Sequence, residues 1–217
     1  FIRLKQIYPE SSISVLAPPW TLPLIERMPE IADGISLPFG HGELKLGQRR
    51  NFGRSLRKKD FDGAFILPNS LKSALIPFHA KIPYRAGWRG EMRSWILNDS
   101  RVLDKQELPL MVHRFVALAE NSYDTSSGYP KPALIVNEKK LPLALEKHSL
   151  TAEKRILGIC PGAEFGQSKQ WPAEHYAELA AEMVDRGWQV WLFGSPKDQQ
   201  MAEAIQGHIP LEQQSSF

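Results

Sequence analysis

Short apolar runs and amphipathic segments alternate along the chain. Residues 12–17, 34–38 and 63–67 are apolar runs of strand length, whereas residues 71–79 and 108–120 have the apolar spacing of helices. Strands that alternate with helices are typical of βαβ units, in which the strands form a parallel sheet. The pattern therefore predicts an α/β fold.

The same alternation returns in the last third of the chain. An apolar strand at 156–160 leads into a helix that starts at Pro172, and a second strand at 188–193 leads into a helix from about Gln199. Gly187 lies between the first helix and the second strand. Glycine readily adopts the left-handed backbone conformation that ends a helix. Both loops that follow the strands leave the carboxyl ends of adjacent parallel strands, where open α/β sheets bind ligands.

A change in composition divides the chain into two domains. Residues 121–132 collect Ser, Gly, Pro and Asn, which indicates a linker, and polar residues continue to about 154. We therefore expect one domain over residues 1–150, linker included, and the start of a second over 151–217. The first residues resemble the second half of an amphipathic helix, and the last residues do not complete a helix or a strand. We therefore expect the chain to be an internal piece of a longer protein.

Composition excludes several classes of function. The 217 residues are 42% hydrophobic and 24% charged, as in an ordinary globular protein. A net charge of +3 and a pI near 9.0 are too weak to indicate nucleic acid, but they permit a local basic patch that binds an anion. The single cysteine excludes an internal disulfide and a cysteine-based zinc site. No apolar run of about 18 residues occurs, so we expect no membrane span.

The loop "PGAEFGQSKQWP" (161–172) lies between a strand and a helix and contains glycines and a lysine, as phosphate-binding loops do. It is not a P-loop, because the spacing of Gly162, Gly166 and Lys169 is wrong and no Ser or Thr follows the lysine. The dinucleotide pattern Gly-x-Gly-x-x-Gly is absent as well. The known phosphate-binding motifs therefore do not explain this loop.

Long stretches of the chain resemble a known family. "CPGAEFGQSKQWPAEHYAELA" (160–180) and "VWLFGSPKD" (190–198) are similar to the donor-binding domain of glycosyltransferase family 9, the bacterial ADP-heptose:lipopolysaccharide heptosyltransferases. "LAPPWTLPLIERMPEI" (16–31) and "LPNSLKSALIPFHAKIPYRAGWRGEMR" (67–93) are similar to its acceptor-side domain. The resemblance implies a GT-B architecture of two Rossmann-like domains with parallel sheets, both incomplete in this chain.

The resemblance also implies an activity and its location. The family transfers L-glycero-D-manno-heptose from ADP-heptose to the inner core of a lipid A-linked oligosaccharide, with inversion of the anomeric carbon. We accordingly expect a cytoplasmic enzyme that is peripheral to the inner membrane and binds no nucleic acid. The family's Gly-Asp base motif and its Asp-Ser-Gly-x-x-His motif are absent from this sequence, so we expect the isolated fragment to be inactive. No metal-ligand cluster is visible, and the resemblance leaves a role for Mg²⁺ open.

The resemblance assigns candidate donor contacts to the two loops of the second domain. They are Gly162, Ala163, Glu164, Lys169 and Asp198. Lys169 would stabilise the charge on departing ADP and is the only catalytic residue expected in this chain; otherwise it is a solvated loop lysine. Asp198 would bind the ribose hydroxyls or, with equal weight, cap the following helix.

Candidate acceptor contacts lie in the first domain, because an acceptor with carboxylates and phosphates requires basic groups. They are Asn69, Ser70, Lys72, Arg85, Arg89 and Arg93. The alternative is an exposed basic surface without a ligand. The basic helical segment 43–58 faces an anionic membrane leaflet or is simply solvated. Two rival functions remain open: a nucleotide-sugar epimerase on the same fold, and a non-enzymatic anion- or membrane-binding module.

Overall fold

The computed structural model describes residues 1–40, 42–120, 128–163, 166–210 and 212. Helices and strands alternate through these residues. The helices are α1 (Ile2–Ile7), α2 (Leu22–Ile25), α3 (Leu46–Ser55), α4 (Leu71–His79), α5 (Met111–Ala117), α6 (Leu141–Lys147), α7 (Ala173–Asp185) and α8 (Gln199–Gly207). The strands are β1 (Ser14–Ala17), β2 (Asp33–Ser36), β3 (Gly63–Ile66), β4 (Tyr84–Trp88), β5 (Asp99–Arg101), β6 (Ile156–Ile159) and β7 (Gln189–Leu192).

The chain divides into two compact units, Phe1–Val136 and Asn137–Phe217. The division falls before the predicted boundary near residue 150, because α6 groups with the second unit although its sequence reads as part of a polar linker. The functional division into an acceptor domain and a donor domain stays a prediction.

All strand pairs of the first unit are parallel, as the alternating pattern predicts. β1 pairs with β2, and β4 lies between β3 and β5 in a second sheet. Apolar side chains from both sheets pack against one core cluster. Its buried members are Phe39, Leu56, Ile76, Ala80 and Ile82. The two sheets of this unit therefore share a core.

Helices α3 and α4 pack closely because Gly53 has no side chain. A Cβ at this position would lie 2.6 Å from the carbonyl oxygen of Ile76 and 2.8 Å from Cβ of His79. The predicted helix over 43–58 is shorter in the structure, since Lys45 adopts a left-handed conformation (φ 39°) and a 3₁₀ turn, Leu56–Lys59, replaces its end.

Strands β4 and β5 are not evident from the sequence pattern, and a polar cluster holds them together. The Tyr84 hydroxyl donates to Oδ2 of Asp99 at 2.5 Å, and Nη2 of Arg101 donates to the same oxygen at 2.6 Å. The Arg101 guanidinium also donates to the carbonyls of Ala117 and Glu120 at the end of α5. It thereby satisfies carbonyls that a helix end leaves unpaired and anchors α5. This helix, Met111–Ala117, is shorter than the predicted 108–120.

The second unit consists of two βα units. β6 and β7 are parallel neighbours, with Ile159 opposite Leu192. The buried residues between this sheet and its helices are Ile159, Ala177, Ala180, Val190, Ile205 and Ile209. α7 begins at Ala173, so Pro172 is the residue before the helix rather than its first residue, and Gly187 (φ +83°) ends it as predicted. Both following loops start at the same edge of the sheet.

Candidate functional site

A capping box holds the loop 194–198 at the 3₁₀ turn Pro196–Asp198, which precedes α8. The amide and the hydroxyl of Ser195 both donate to Oδ2 of Asp198, each at 2.7 Å. These two hydrogen bonds hold the pKa of Asp198 below its ordinary value, so the carboxylate is ionised at neutral pH. Asp198 does precede α8, but its side chain makes no capping hydrogen bond to that helix. It instead closes the turn from which α8 starts, and this fixes the carboxylate in place.

Gly162 brings the first loop against this carboxylate. A Cβ at residue 162 would stand 2.5 Å from Oδ1 and 2.7 Å from Cγ of Asp198. Any side chain at this position would displace the acid or the loop, which explains why glycine is required here. Two residues that are far apart in sequence thus form one edge of the candidate site.

A small cavity lies beside Asp198. Its volume is about 190 Å³, and it is lined by Pro161, Leu192, Phe193, Gly194, Ser195, Asp198, Gln199 and Ala202. Ligand pockets commonly enclose roughly 300–1,000 Å³, so this cavity is too small to enclose a whole drug-sized ligand. Its lining combines apolar side chains with one carboxylate.

Lys169 is exposed at the end of the 3₁₀ turn Gln167–Lys169. Gly166, with φ +84°, permits the turn, and the Lys169 amide donates to the Gly166 carbonyl at 3.2 Å. Among the described residues no carboxylate forms an ion pair with the Lys169 ammonium. Glu164 lies outside the described residues, whereas Ala163 is half-buried beside Gly162.

Trp171 supports this loop from the side of α7. Its ring contacts His175 at 5.4 Å and Tyr176 at 5.2 Å between centroids, and it remains 46% exposed. The tryptophan therefore packs on the first turn of the helix with one part of its ring open to solvent.

In the first unit, Arg93 is a buried structural residue, which corrects the prediction that it contacts an acceptor. Its side chain is 0% exposed. The hydrogen-bond acceptors of its guanidinium are the carbonyls of Pro68, Ser70 and Trp88, the Ser73 hydroxyl and the Asn69 amide oxygen. Arg93 thus joins the loop after β3 to the end of β4. A charge run in the sequence shows the charge but not the burial.

Arg85 is half-buried and partly engaged by the chain itself, and its contact with an acceptor stays a prediction. It lies near the amino end of β4, away from the carboxyl edge, and its guanidinium donates to the carbonyls of Ile82 and Ile96. Its Cζ also lies 5.9 Å from the centre of the Phe78 ring. The backbone thus already uses Nε and Nη1 of this side chain.

The other candidate acceptor residues lie on two neighbouring segments of the first unit. Asn69 and Arg89 are exposed, in the loops after β3 and β4, whereas Ser70 and Lys72 are half-buried at the start of α4. These loops touch, because a Cβ at Gly90 would lie 2.8 Å from the Asn69 carbonyl. The Leu71 amide at the start of α4 donates to Oε2 of Glu91 at 2.8 Å. A carboxylate of the chain itself therefore occupies this helix start.

Sequence reasoning missed two residues of these loops. Ser195 carries a signal, since Ser-x-x-Asp before a helix is a form of the capping box. Glu91 carries none, because its contact with Leu71 depends on left-handed backbone at Glu91 and Met92 (φ 41° and 52°). Within the described ranges no three His, Cys, Asp or Glu side chains are grouped to hold a metal ion. No helix of that part of the chain is long and apolar enough to cross a bilayer.

The chain is similar to solved structures over almost its whole length. The structure of E. coli ADP-heptose LPS heptosyltransferase II is 46% identical with a TM-score of 0.87, covering 99% of this chain and 64% of that one. E. coli heptosyltransferase WaaC with ADP is 21% identical with a TM-score of 0.61, covering 94% and 64%. The predicted α/β fold class of GT-B type is confirmed.

The sequence comparisons agree with the structural ones. Lipopolysaccharide heptosyltransferase 2 of Salmonella typhimurium is 50% identical over 98% of this chain, and the chain spans 63% of the length of that relative. The model of glycosyltransferase family 9 (heptosyltransferase) matches residues 49–215, which include both candidate loops of the second unit. The chain therefore belongs to glycosyltransferase family 9.

Proposed function

We propose that the protein containing this chain is an inverting glycosyltransferase that moves L-glycero-D-manno-heptose from ADP-heptose to the inner core of lipopolysaccharide. The observation that carries the proposal is the meeting of two loops at the carboxyl ends of β6 and β7, where Gly162 lies against the Asp198 carboxylate. The 46% identical structure named ADP-heptose LPS heptosyltransferase II supports the same donor and acceptor.

On the donor side, each part of ADP has a matching group. The Asp198 carboxylate accepts hydrogen bonds from the ribose hydroxyls, and the adjoining cavity takes the adenine ring. The amides around Gly162 and Ala163 and the ammonium of Lys169 bind the diphosphate. We retain Glu164 as a donor contact, since it belongs to the same loop.

The reaction is a single displacement at the anomeric carbon. The acceptor hydroxyl oxygen bonds to this carbon from one face while the bond to the diphosphate oxygen breaks on the other, and the electron pair leaves with ADP. Lys169 stabilises the negative charge that grows on the diphosphate, which lowers the energy of the transition state more than that of the bound substrate. The proton of the acceptor hydroxyl passes to a general base, for which no residue of this chain is assigned.

On the acceptor side, we assign direct contacts to Asn69, Ser70, Lys72 and Arg89, with Arg93 holding their loop in place. Lys72 and Arg89 supply positive charge for the anionic inner core. Because that acceptor is anchored in lipid, we propose that the protein acts at the cytoplasmic face of the inner membrane.

Calorimetric titration of the full-length protein with ADP and with adenosine tests the donor site. A charge-assisted hydrogen bond contributes roughly 1.5–3 kcal/mol, so Lys169→Ala should weaken ADP binding about ten- to a hundredfold. Adenosine lacks the diphosphate and should bind the variant like the wild type. The matched control is Lys154→Ala, an exposed lysine before β6, which should leave both affinities unchanged.

The outcomes separate the rival functions. Unchanged ADP affinity in Lys169→Ala would place this lysine on the solvated surface, and an equal loss for adenosine would indicate a disturbed fold. Wild-type protein that consumes ADP-heptose without any acceptor would favour an epimerase. Wild-type protein with no affinity for ADP would contradict the proposed function altogether.

A further inference from the structure

One surface of the first unit combines exposed aromatic rings with arginines that form no ion pair with any described carboxylate, and it lies outside the candidate site. We call the surface formed by Phe78, Trp95, Arg50, Arg54 and Arg57 the aromatic–basic surface. Trp95 is 70% exposed and Phe78 is 37% exposed. Their rings meet edge to face with centroids 6.0 Å apart, so they form one apolar projection rather than two isolated side chains.

His79 connects this projection to the arginines of α3. Its ring lies 5.3 Å from that of Phe78, and Nε of Arg57 donates to its carbonyl oxygen at 2.9 Å. Burial, and then the charges of Arg50, Arg54 and Arg57, lower the pKa of His79. Gly53 of α3 packs against the same residue, since a Cβ there would lie 2.8 Å from Cβ of His79. The helix that carries the arginines therefore packs against the helix that carries Phe78 and His79.

The positive charge of this surface is not neutralised. Residues 46–59 contain six basic residues and no acidic residue. Three of the six bind other groups of the chain. Arg49 donates to the carbonyls of Glu43 and Leu44, and Arg57 donates to that of His79. Lys59 pairs with the Asp33 carboxylate at 2.7 Å. In the described part of the chain no carboxylate forms an ion pair with the three arginines of the surface.

We propose that the aromatic–basic surface docks the protein on an anionic lipid bilayer, with Trp95 and Phe78 in the interfacial layer and the arginines on lipid phosphates. Tryptophan is favoured at the membrane interface because its ring is apolar and its N–H is polar. Guanidinium groups bind phosphate oxygens in pairs, and basic side chains close to an anionic surface each add to the attraction.

A protein partner fits these features less well. Two aromatic side chains bury roughly 150–250 Å² each, whereas a stable protein–protein interface buries about 1,200 Å² or more around a core depleted of charge. A bilayer needs only a few inserted rings and several cations. The inference deepens the proposed function, because a lipid-anchored acceptor is reached from a membrane surface.

Co-sedimentation of the full-length protein with vesicles tests the inference. Wild-type protein should sediment with vesicles of phosphatidylcholine and phosphatidylglycerol, much less with phosphatidylcholine alone, and less as salt is added. Removing two charges with Arg50→Gln and Arg54→Gln together should weaken binding to the anionic vesicles about 30-fold. Trp95→Ala should also weaken it, and both variants should keep the circular dichroism of the wild type because the replaced side chains are exposed.

Two matched controls locate the effect. Trp20→Ala removes another tryptophan, 81% exposed after β1, and Lys139→Gln with Lys140→Gln removes two charges from a turn of the second unit. Both should bind vesicles like the wild type. Equal losses in controls and test variants would overturn the inference, and so would wild-type protein that binds neutral vesicles equally well or binds DNA but no vesicles.

The test is separate from that of the donor site. ADP affinity, measured on the same preparations without vesicles, should not change in any of these variants. Loss of vesicle binding with intact ADP affinity supports the docking surface. Wild-type protein that binds anionic vesicles but not ADP would contradict the proposed function and leave the docking surface standing.

Discussion

Gly162 and Asp198 are in contact across 36 positions of sequence: a single methyl group on residue 162 would stand 2.5 Å from Oδ1 of the acid. Asp198 cannot easily move away, because its other oxygen accepts two hydrogen bonds from Ser195. The contact ties the loop after β6 to the loop after β7. A change in either residue should therefore affect both loops.

Gly162→Ala should weaken ADP binding about tenfold or more, since the new methyl group displaces the carboxylate that we assign to the ribose. Calorimetry on the full-length protein measures the loss. Gly207→Ala is the matched control, because a Cβ there has no neighbour within 4 Å. If both alanine variants bind ADP like the wild type, the contact has no role in binding the donor.

Asp198→Asn should abolish the preference for ADP over 2′-deoxy-ADP, because the amide lacks the charge that accepts hydrogen bonds from both ribose hydroxyls. Ser195→Ala removes one hydrogen bond of the capping box but keeps the carboxylate, so this variant should still discriminate between the two nucleotides. Competition binding with both nucleotides measures the preference. Loss of discrimination in Ser195→Ala alone would assign Asp198 to the cap and not to the ribose.

Arg93→Ala should lower the free energy of unfolding by about 3 kcal/mol, because it leaves a cavity and several buried carbonyls without a donor. Arg93→Lys should recover little, since one ammonium cannot reach carbonyls on both loops. Urea denaturation measures the loss.

Arg89→Ala provides the comparison, since this side chain is exposed and its removal should change stability by at most about 0.5 kcal/mol. It should instead raise the KM for the acceptor while ADP affinity stays constant. A stable Arg93→Ala variant with an impaired acceptor KM would restore the original prediction for Arg93.

The Tyr84–Asp99–Arg101 cluster should make stability depend on alkaline pH. Burial, and then the hydrogen bond to Asp99, raise the pKa of Tyr84 from 10.0 to about 12. A raised pKa means that the folded state retains a proton that the unfolded state loses, so this stabilisation is complete below about pH 10 and is lost as pH rises through about 12. Urea midpoints across that range should fall less steeply for Tyr84→Phe than for the wild type. If the urea midpoints of the two proteins fall equally with pH, the folded state does not raise the pKa of Tyr84.

The sequence predicts the alternation of strands and helices because the spacing of apolar residues differs between a buried strand and a helix with one buried face. It does not predict β4 and β5, since Tyr84–Trp88 and Asp99–Arg101 mix charged and small residues whose hydrogen-bond partners are distant in sequence. For the site, loop position follows from strand order, so the loops that carry Lys169 and Asp198 are identifiable in advance, whereas the roles of the two residues stay predictions. The burial of Arg93 is not, because a sequence shows that a residue is charged but not whether its charge faces backbone carbonyls.

The three short parallel sheets have a practical consequence for work with this polypeptide. Among the described strands, β1 pairs only with β2 and β3 only with β4, so each leaves one row of backbone amides and carbonyls without a strand partner. Open edges of this kind recruit strands from other molecules. Preparations of this stretch by itself should accordingly self-associate as concentration rises, and binding constants are best measured on the full-length protein at low concentration.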